Sequence, residues 1–277
     1  MTLLYKTYEV EYEYLFVGHT KTILLLHGWG GNKDSFAKVK KVFKSNYNIL
    51  SISFPPLNLY KNKTNSTNPL DMYDYKNIVQ NILKLLNLKS VIIICHSFGF
   101  RIALMLTTTN ITIEKIIITG GAGIRLKPYF FKKLNTQFHS ILLKHHPEYF
   151  NQFASNEYTT LSNVDRQTFK NVVNKDLTSY IKNLTCPAFL FWGKKDTATP
   201  IKMFKILKNL KSNIKYKIIK EGTHFCYLDH SELFIDYCHQ FLKGELWQNH
   251  LFASFNLYIL SCVCTTFNGK DIIQKDI

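Results

Sequence analysis

The run Val91-Ile92-Ile93-Ile94-Cys95-His96-Ser97-Phe98-Gly99-Phe100 constrains this chain more than any other stretch. A short β-favouring apolar run stops abruptly, and a helix-like stretch begins within three residues. A chain that turns this sharply from strand to helix lifts the corner residue off the sheet. Small residues two before and two after the corner relieve the crowding there, and Cys95 and Gly99 hold those positions. The corner residue is Ser97, so its hydroxyl stays out of any strand ladder. A serine presented in this way lacks only a base to act as a nucleophile. Ordinary strand-to-helix turns also produce S-x-G triplets, so the rest of the chain has to supply the partners.

The surrounding pattern is alternating. Residues 5–17 set Tyr8, Val10, Tyr12 and Tyr14 against Glu9, Glu11 and Glu13, which predicts a half-buried strand in a leading antiparallel hairpin. Strands are then predicted near 22–26, 48–53, 91–95, 115–119, 188–192 and 215–219. Helices are predicted near 34–45, 71–87, 98–109, 201–211 and 230–243, and Ile78, Val79, Ile82, Leu83, Leu85 and Leu86 illustrate the 3.6-residue period. The alternation predicts an α/β fold, a mostly parallel central sheet covered by helices on both faces. Ligands of such sheets bind beyond the carboxyl ends of the strands.

Three other strand ends carry notable residues. Thr22 to Leu26 runs into His27-Gly28-Trp29-Gly30-Gly31-Asn32, where glycines let backbone pass close to a ligand with N–H groups unpaired. Two such groups aimed at one point stabilise an oxyanion; the stretch also reads as a glycine-rich turn into a helix, and both readings hold together. Ala188 to Trp192 leads to Gly193-Lys194-Lys195-Asp196, with Pro200 expected at the first position of the next helix. Lys215 to Lys220 leads to Glu221-Gly222-Thr223-His224-Phe225. A lone Asp of this kind is ordinarily a solvated turn residue, and a lone His a satisfied one. Their joint occurrence, each after a strand, singles them out.

In chain order these residues are Ser97, Asp196 and His224. With His27-Gly28-Trp29-Gly30, Cys95-His96-Ser97-Phe98-Gly99, Gly193 to Pro200 and Gly222-Thr223-His224, the chain resembles a serine hydrolase of the α/β-hydrolase fold superfamily. The resemblance spans residues from about 20 to 243. It implies Ser97 as nucleophile, His224 as its base, Asp196 as the carboxylate orienting the histidine, and the Trp29 and Phe98 N–H groups as the oxyanion hole. Asp229 and Asp176 remain alternatives for the acid. It further implies a core over 1–123 and 184–244 and a helical lid over 124–183, leaving 245–277 as an extension. His96 and Cys226 flank these residues and read as packing neighbours. Two stretches depart from the family. Cys95 stands where the elbow's first glycine is usual, and Ser53-Phe54-Pro55-Pro56-Leu57-Asn58 with polar Lys61 to Asn68 replaces a loop usually bearing Asp and Gly.

The expected reaction is hydrolysis of a small or medium carboxylic ester. The same motifs serve thioester, amide and carbon–carbon cleavage, and Cys95 keeps open a non-catalytic binder on the same fold. The aromatics Tyr129, Phe130, Phe131, Phe138, Tyr149, Phe150 and Phe153 either line an apolar pocket or pin the lid to the core.

Composition removes other classes. The net charge of +16 invites a nucleic-acid or membrane partner, but only three of the 35 basic residues are arginine (Arg101, Arg125 and Arg166). Scattered lysines without arginine forks read as solvated helix faces, so no nucleic acid is expected. No phosphate-binding glycine motif is visible, so no cofactor is expected. The six cysteines include no C-x-x-C pair, and adjacent His145-His146 diverge on a helix, so no metal is expected. The amino terminus carries no signal-like segment, and reduced thiols suit a cytoplasmic protein. In the tail, Trp247, Leu251, Phe252, Phe255, Tyr258, Ile259, Cys262 and Val263 share a helical face. It is expected to pack on the body or on a second subunit, with a membrane-surface contact left open.

Overall fold

The structure, a computed structural model, describes residues 1–55, 68–126, 162–211 and 214–245. The expectations for the loop over 56–67, for the lid over 127–161 with its aromatics and His145-His146, and for the tail from Trp247 lie outside these residues. Among the described residues eight strands form one sheet: β1 (Thr2–Tyr5), β2 (Tyr8–Leu15), β3 (Thr22–Leu26), β4 (Asn48–Ile52), β5 (Ser90–His96), β6 (Thr112–Thr119), β7 (Ala188–Gly193) and β8 (Lys215–Ile219). The strand order is β1-β2-β4-β3-β5-β6-β7-β8. The β1–β2 and β2–β4 pairs are antiparallel and every other pair is parallel. The leading hairpin forms as expected, with Tyr8, Val10 and Tyr12 buried beneath the exposed or half-exposed glutamates.

The helices are α1 (Ala37–Phe43), α2 (Met72–Leu85), α3 (Phe98–Leu106), α4 (Asn163–Asn174), α5 (Ile201–Leu210), α6 (Cys226–Asp229) and α7 (Ser231–Lys243), with a 3-10 turn at Thr178–Asn183. Successive strand side chains point to opposite faces of the sheet. Leu24, Leu26, Ile93, Cys95, Ile116, Ile118, Leu190 and Trp192 therefore join a core with α2, α3 and α5. Ile23, Leu25, Ile92, Ile94, Ile117, Phe189 and Phe191 join one with α1, α6 and α7. Burial on both faces explains why the parallel strands read as unbroken apolar runs.

Local chemistry sets the helix ends. Asp71 caps α2 by accepting from the Tyr73 and Asp74 N–H groups at 2.7 and 3.0 Å, and Asp74 returns the favour to the Asp71 N–H. Helix α3 stops at Leu106, short of the expected Thr109. Thr107, Thr108 and Thr109 turn their hydroxyls onto the carbonyls three residues back, at 2.7, 2.8 and 2.7 Å, in competition with the helix ladder. Helix α1 starts three residues later than expected, because Asn32 and Ser35 satisfy each other in a turn ahead of it. Pro200 takes the N-cap of α5 with extended ψ of 153° rather than its first helical position.

Candidate active site

The carboxyl ends of β3, β5, β6, β7 and β8 lie on one side of the sheet, and every singled-out residue follows one of them. Ser97 sits between β5 and α3 with φ 48° and ψ −110°. A non-glycine residue there carries on the order of 1–3 kcal/mol of strain and persists only when its surroundings over-determine it. They do. The Ser97 N–H donates to the Thr119 carbonyl at 3.1 Å, and its carbonyl accepts from Phe100 and Ala122, each at 3.1 Å. Gly99 supplies the close approach, since a Cβ there would strike the Leu26 carbonyl of β3. Cys95, by contrast, lies inside the strand, paired with Leu26 and Ile118. It is not among the positive-φ residues, so its position does not use glycine's freedom. Burial pushes its thiol well above the usual range, which keeps it protonated.

Phe98 is the first residue of α3, so its N–H has no acceptor within the helix. Across from it, Gly31 donates to the Gly28 carbonyl at 3.0 Å and closes a turn with Gly30 at φ 80°, leaving the Trp29 N–H outside that bond. His27 braces this turn. The Phe54 N–H donates to its Nε2 at 3.2 Å, so the proton resides on Nδ1, which donates to the Gly28 carbonyl at 2.7 Å. Complete burial lowers the His27 pKa to about 4, which keeps the brace neutral.

His224 and Asp196 meet at 2.9 Å, Nδ1 to Oδ2, with side-chain exposures of 1% and 0%. A carboxylate only accepts, so Nδ1 carries the proton and Nε2 carries the lone pair. Asp196 is itself held: Ala198 and Thr199 N–H groups donate to Oδ1 at 2.9 and 2.8 Å, and the Thr199 hydroxyl donates to Oδ2 at 2.7 Å. Trp192 Nε1 donates to the Thr199 carbonyl at 2.9 Å and fixes that turn. The Asp196 and His224 loops are stitched together by Lys194 N–H to Ile219 and Lys195 N–H to Gly222, both at 2.9 Å. Gly120, at φ 52°, passes so near that a Cβ there would lie 3.0 Å from His224 Nδ1. The other two candidate acids are occupied elsewhere. Asp229 accepts from the Thr223 hydroxyl at 3.0 Å, and Asp176 from the Thr178 N–H and hydroxyl at 2.9 and 2.6 Å.

Ser97 thus lies in the same buried shell as the pair. Thr119, which accepts from Ser97, immediately precedes Gly120, which passes the His224 ring. One wall of this shell is aromatic. Trp29 packs edge-on to Phe98 at 5.4 Å and to Phe169 of α4 at 5.0 Å, while Phe98 meets Tyr75 at 4.9 Å. Helix α4 is tied to the serine's own helix by Arg101, which donates to the Val172 and Lys175 carbonyls at 3.0 and 2.8 Å. Cys226 is a packing neighbour, its thiol pushed up to about 12 by burial. Thr199 escaped the sequence reading. Its only trace there is a Thr three residues after an Asp and directly before a proline, the makings of a side-chain-capped turn. Among the described residues no cluster of three His, Cys, Asp or Glu could hold a metal ion, and no helix is long and apolar enough to cross a membrane.

No family model matches the chain. A pimeloyl-[acyl-carrier protein] methyl ester esterase of Legionella pneumophila (strain Paris) is 21% identical over 256 residues, 82% of this chain and 97% of the relative. The uncharacterized hydrolase YugF of Bacillus subtilis is 22% identical over 268 residues, covering 84% and 94% of the two chains. Among solved structures, the esterase EaEST of Exiguobacterium antarcticum superposes with a TM-score of 0.68 at 19% identity, covering 85% of this chain and 96% of that one. With its sheet order, elbow and strand-end loops, the chain has the α/β-hydrolase fold and is similar over most of its length to hydrolases of the esterase type.

Proposed function

We propose that the chain is a serine esterase that cleaves a small or medium carboxylic ester through an acyl-enzyme on Ser97. The observation that carries this reading is the buried Asp196–His224 contact of 2.9 Å next to a serine held at φ 48°. His224 Nε2 takes the Ser97 proton as Oγ attacks the ester carbonyl. The Trp29 and Phe98 N–H groups receive the oxyanion. Collapse breaks the ester bond, and His224 returns its proton to the departing alcohol. Water, deprotonated by His224, then attacks the acyl-enzyme and releases the acid and free Ser97. Asp196 holds the productive tautomer and stabilises the imidazolium throughout.

The aromatic wall of Trp29, Phe98 and Phe169 favours an apolar acyl or alcohol group. The Legionella relatives are named for a methyl ester, the same bond class with a small leaving alcohol. In this reading 124–183 is a helical lid over a core of 1–123 and 184–244, and the free thiols Cys95, Cys186, Cys226 and Cys238 suit the cytoplasm.

A fluorophosphonate probe tests the reading, with intact-mass detection and Ser97→Ala as control. Labelling of the wild type that vanishes in the variant, with turnover of p-nitrophenyl esters falling at least about 1,000-fold, is expected. Folded protein that stays unlabelled would favour the binding protein, and Ser97→Ala with full turnover would end the serine mechanism.

A further inference from the structure

His96 is the last residue of β5 and the immediate neighbour of Ser97. The residue is 2% exposed. Burial, followed by the neighbouring His224, holds its pKa well below the imidazole range, so it is neutral. Its Nε2 lies 3.1 Å from the main-chain carbonyl oxygen of His224. A carbonyl only accepts, so Nε2 carries the proton and donates. The His96 ring packs against the His224 ring at 4.6 Å, with Tyr227 at 4.7 Å and Phe225 at 5.3 Å around it. Through its Nδ1 and Cε1 it also abuts the oxyanion turn. A Cβ on Gly28 would come within 2.5 Å of His96 Nδ1 and 3.4 Å of Ser97 Cβ.

The His96–His224 bond spans a sequence separation of 128 residues. Nothing local in the chain relates the serine to the histidine; their relative position comes only from such tertiary bonds. Since His96 is covalently joined to Ser97, its bond to the His224 carbonyl ties the two backbones together. Its size also dictates how near Gly28, and hence the Trp29 N–H, can come.

We infer that His96 is a positioning residue: its Nε2–H, held on the His224 carbonyl, sets where the histidine ring stands relative to Ser97, while its Nδ1–Cε1 edge seats the oxyanion turn. This rests on the serine-esterase reading above. A bulky apolar side chain would fill the same volume but could not hold the carbonyl. Glutamine carries an N–H donor at similar reach, and asparagine carries the same amide one methylene short.

The experiment compares wild type, His96→Gln, His96→Asn, His96→Leu and Ser97→Ala on a p-nitrophenyl ester. Fluorophosphonate titration counts competent sites, so kcat per labelled site is independent of any misfolded fraction. Misplacing reacting groups by about 1 Å costs on the order of 100-fold. His96→Leu and His96→Asn should therefore lose about 10- to 100-fold in kcat per site, with KM changed by less than about 3-fold. The apparent pKa of the acid limb of kcat/KM should move by at least about half a unit in both. His96→Gln should stay within about 5-fold of wild type. Should His96→Leu not fold, the Gln and Asn pair decides alone. Equal kcat per site and equal pH profiles in Gln and Asn would overturn the inference, whether both match wild type or both fall. If instead the wild type fails to label, or Ser97→Ala keeps its turnover, the esterase reading falls first, and the inference with it.

Discussion

Replacing Asp196 by asparagine tests the acid–base assignment atom by atom. Asp196 Oδ1 accepts two backbone N–H groups, from Ala198 at 2.9 Å and Thr199 at 2.8 Å. Those donors force the oxygen of the new amide into the Oδ1 position, and its NH2 into the Oδ2 position. There the NH2 faces the Thr199 hydroxyl at 2.7 Å and His224 Nδ1 at 2.9 Å, both of which donate in the native protein. The hydroxyl can rotate and accept. The imidazole cannot, so its proton moves from Nδ1 to Nε2. The lone pair that should take the Ser97 proton is then gone, although every heavy atom is nearly where it was. A wrong tautomer in a triad costs about 10,000-fold in kcat, or roughly 5.4 kcal/mol of barrier. Asp229 is exposed and accepts from the Thr223 hydroxyl, so Asp229→Asn should leave kcat within about 2-fold. Steady-state kinetics on p-nitrophenyl butyrate, with thermal melts to verify folding, make the comparison. A loss below about 10-fold for folded Asp196→Asn, or a large loss for Asp229→Asn, would refute the tautomer argument.

Two further outcomes follow from buried groups. His27 has its pKa lowered from 6.5 to about 4 by burial, so the unfolded chain binds the extra proton over that interval. Stability from this group is therefore complete above pH 6.5 and lost as pH falls to about 4, by on the order of 3 kcal/mol. His27→Gln should flatten the wild type's decline in Tm between pH 7 and 4.5, and an unchanged slope would count against it. Cys95→Gly should not improve the enzyme: filling no positive-φ need and emptying a buried site, it should cost about 1–2 kcal/mol in denaturant unfolding and leave kcat within about 3-fold. A tenfold gain in kcat would mean that the cysteine strains the elbow after all.

Much of this molecule is legible in its sequence. A parallel sheet buried on both faces has to be made of unbroken apolar runs, and Thr22–Leu26, Ser90–His96 and Ala188–Gly193 are of that kind. The corner at Ser97 was visible for a local reason, since strand-forming and helix-forming stretches abut there. Element ends were less visible. The threonines that stop α3 and the Asn32–Ser35 turn ahead of α1 act through side-chain hydrogen bonds that compete with the helix, which no hydrophobic period records.

The sequence by itself determined the inventory: which strands end in which loops, and that a serine, an aspartate and a histidine follow three of them. Only the tertiary structure decided the partnerships. Asp196, Asp229 and Asp176 are chemically alike, and it is the Asp196 carboxylate that meets His224 Nδ1, with the β7 and β8 loops stitched together beneath it and the other two carboxylates accepting from threonines. His27 and His96 acquire meaning the same way, through bonds to the Phe54 and His224 main chains brought near by sheet order, while Thr199 acts locally on the Asp196 carboxylate. Hydrophobic burial is non-directional and leaves its mark on sequence as a pattern; a hydrogen bond between residues 128 apart leaves none until the sheet brings its ends together.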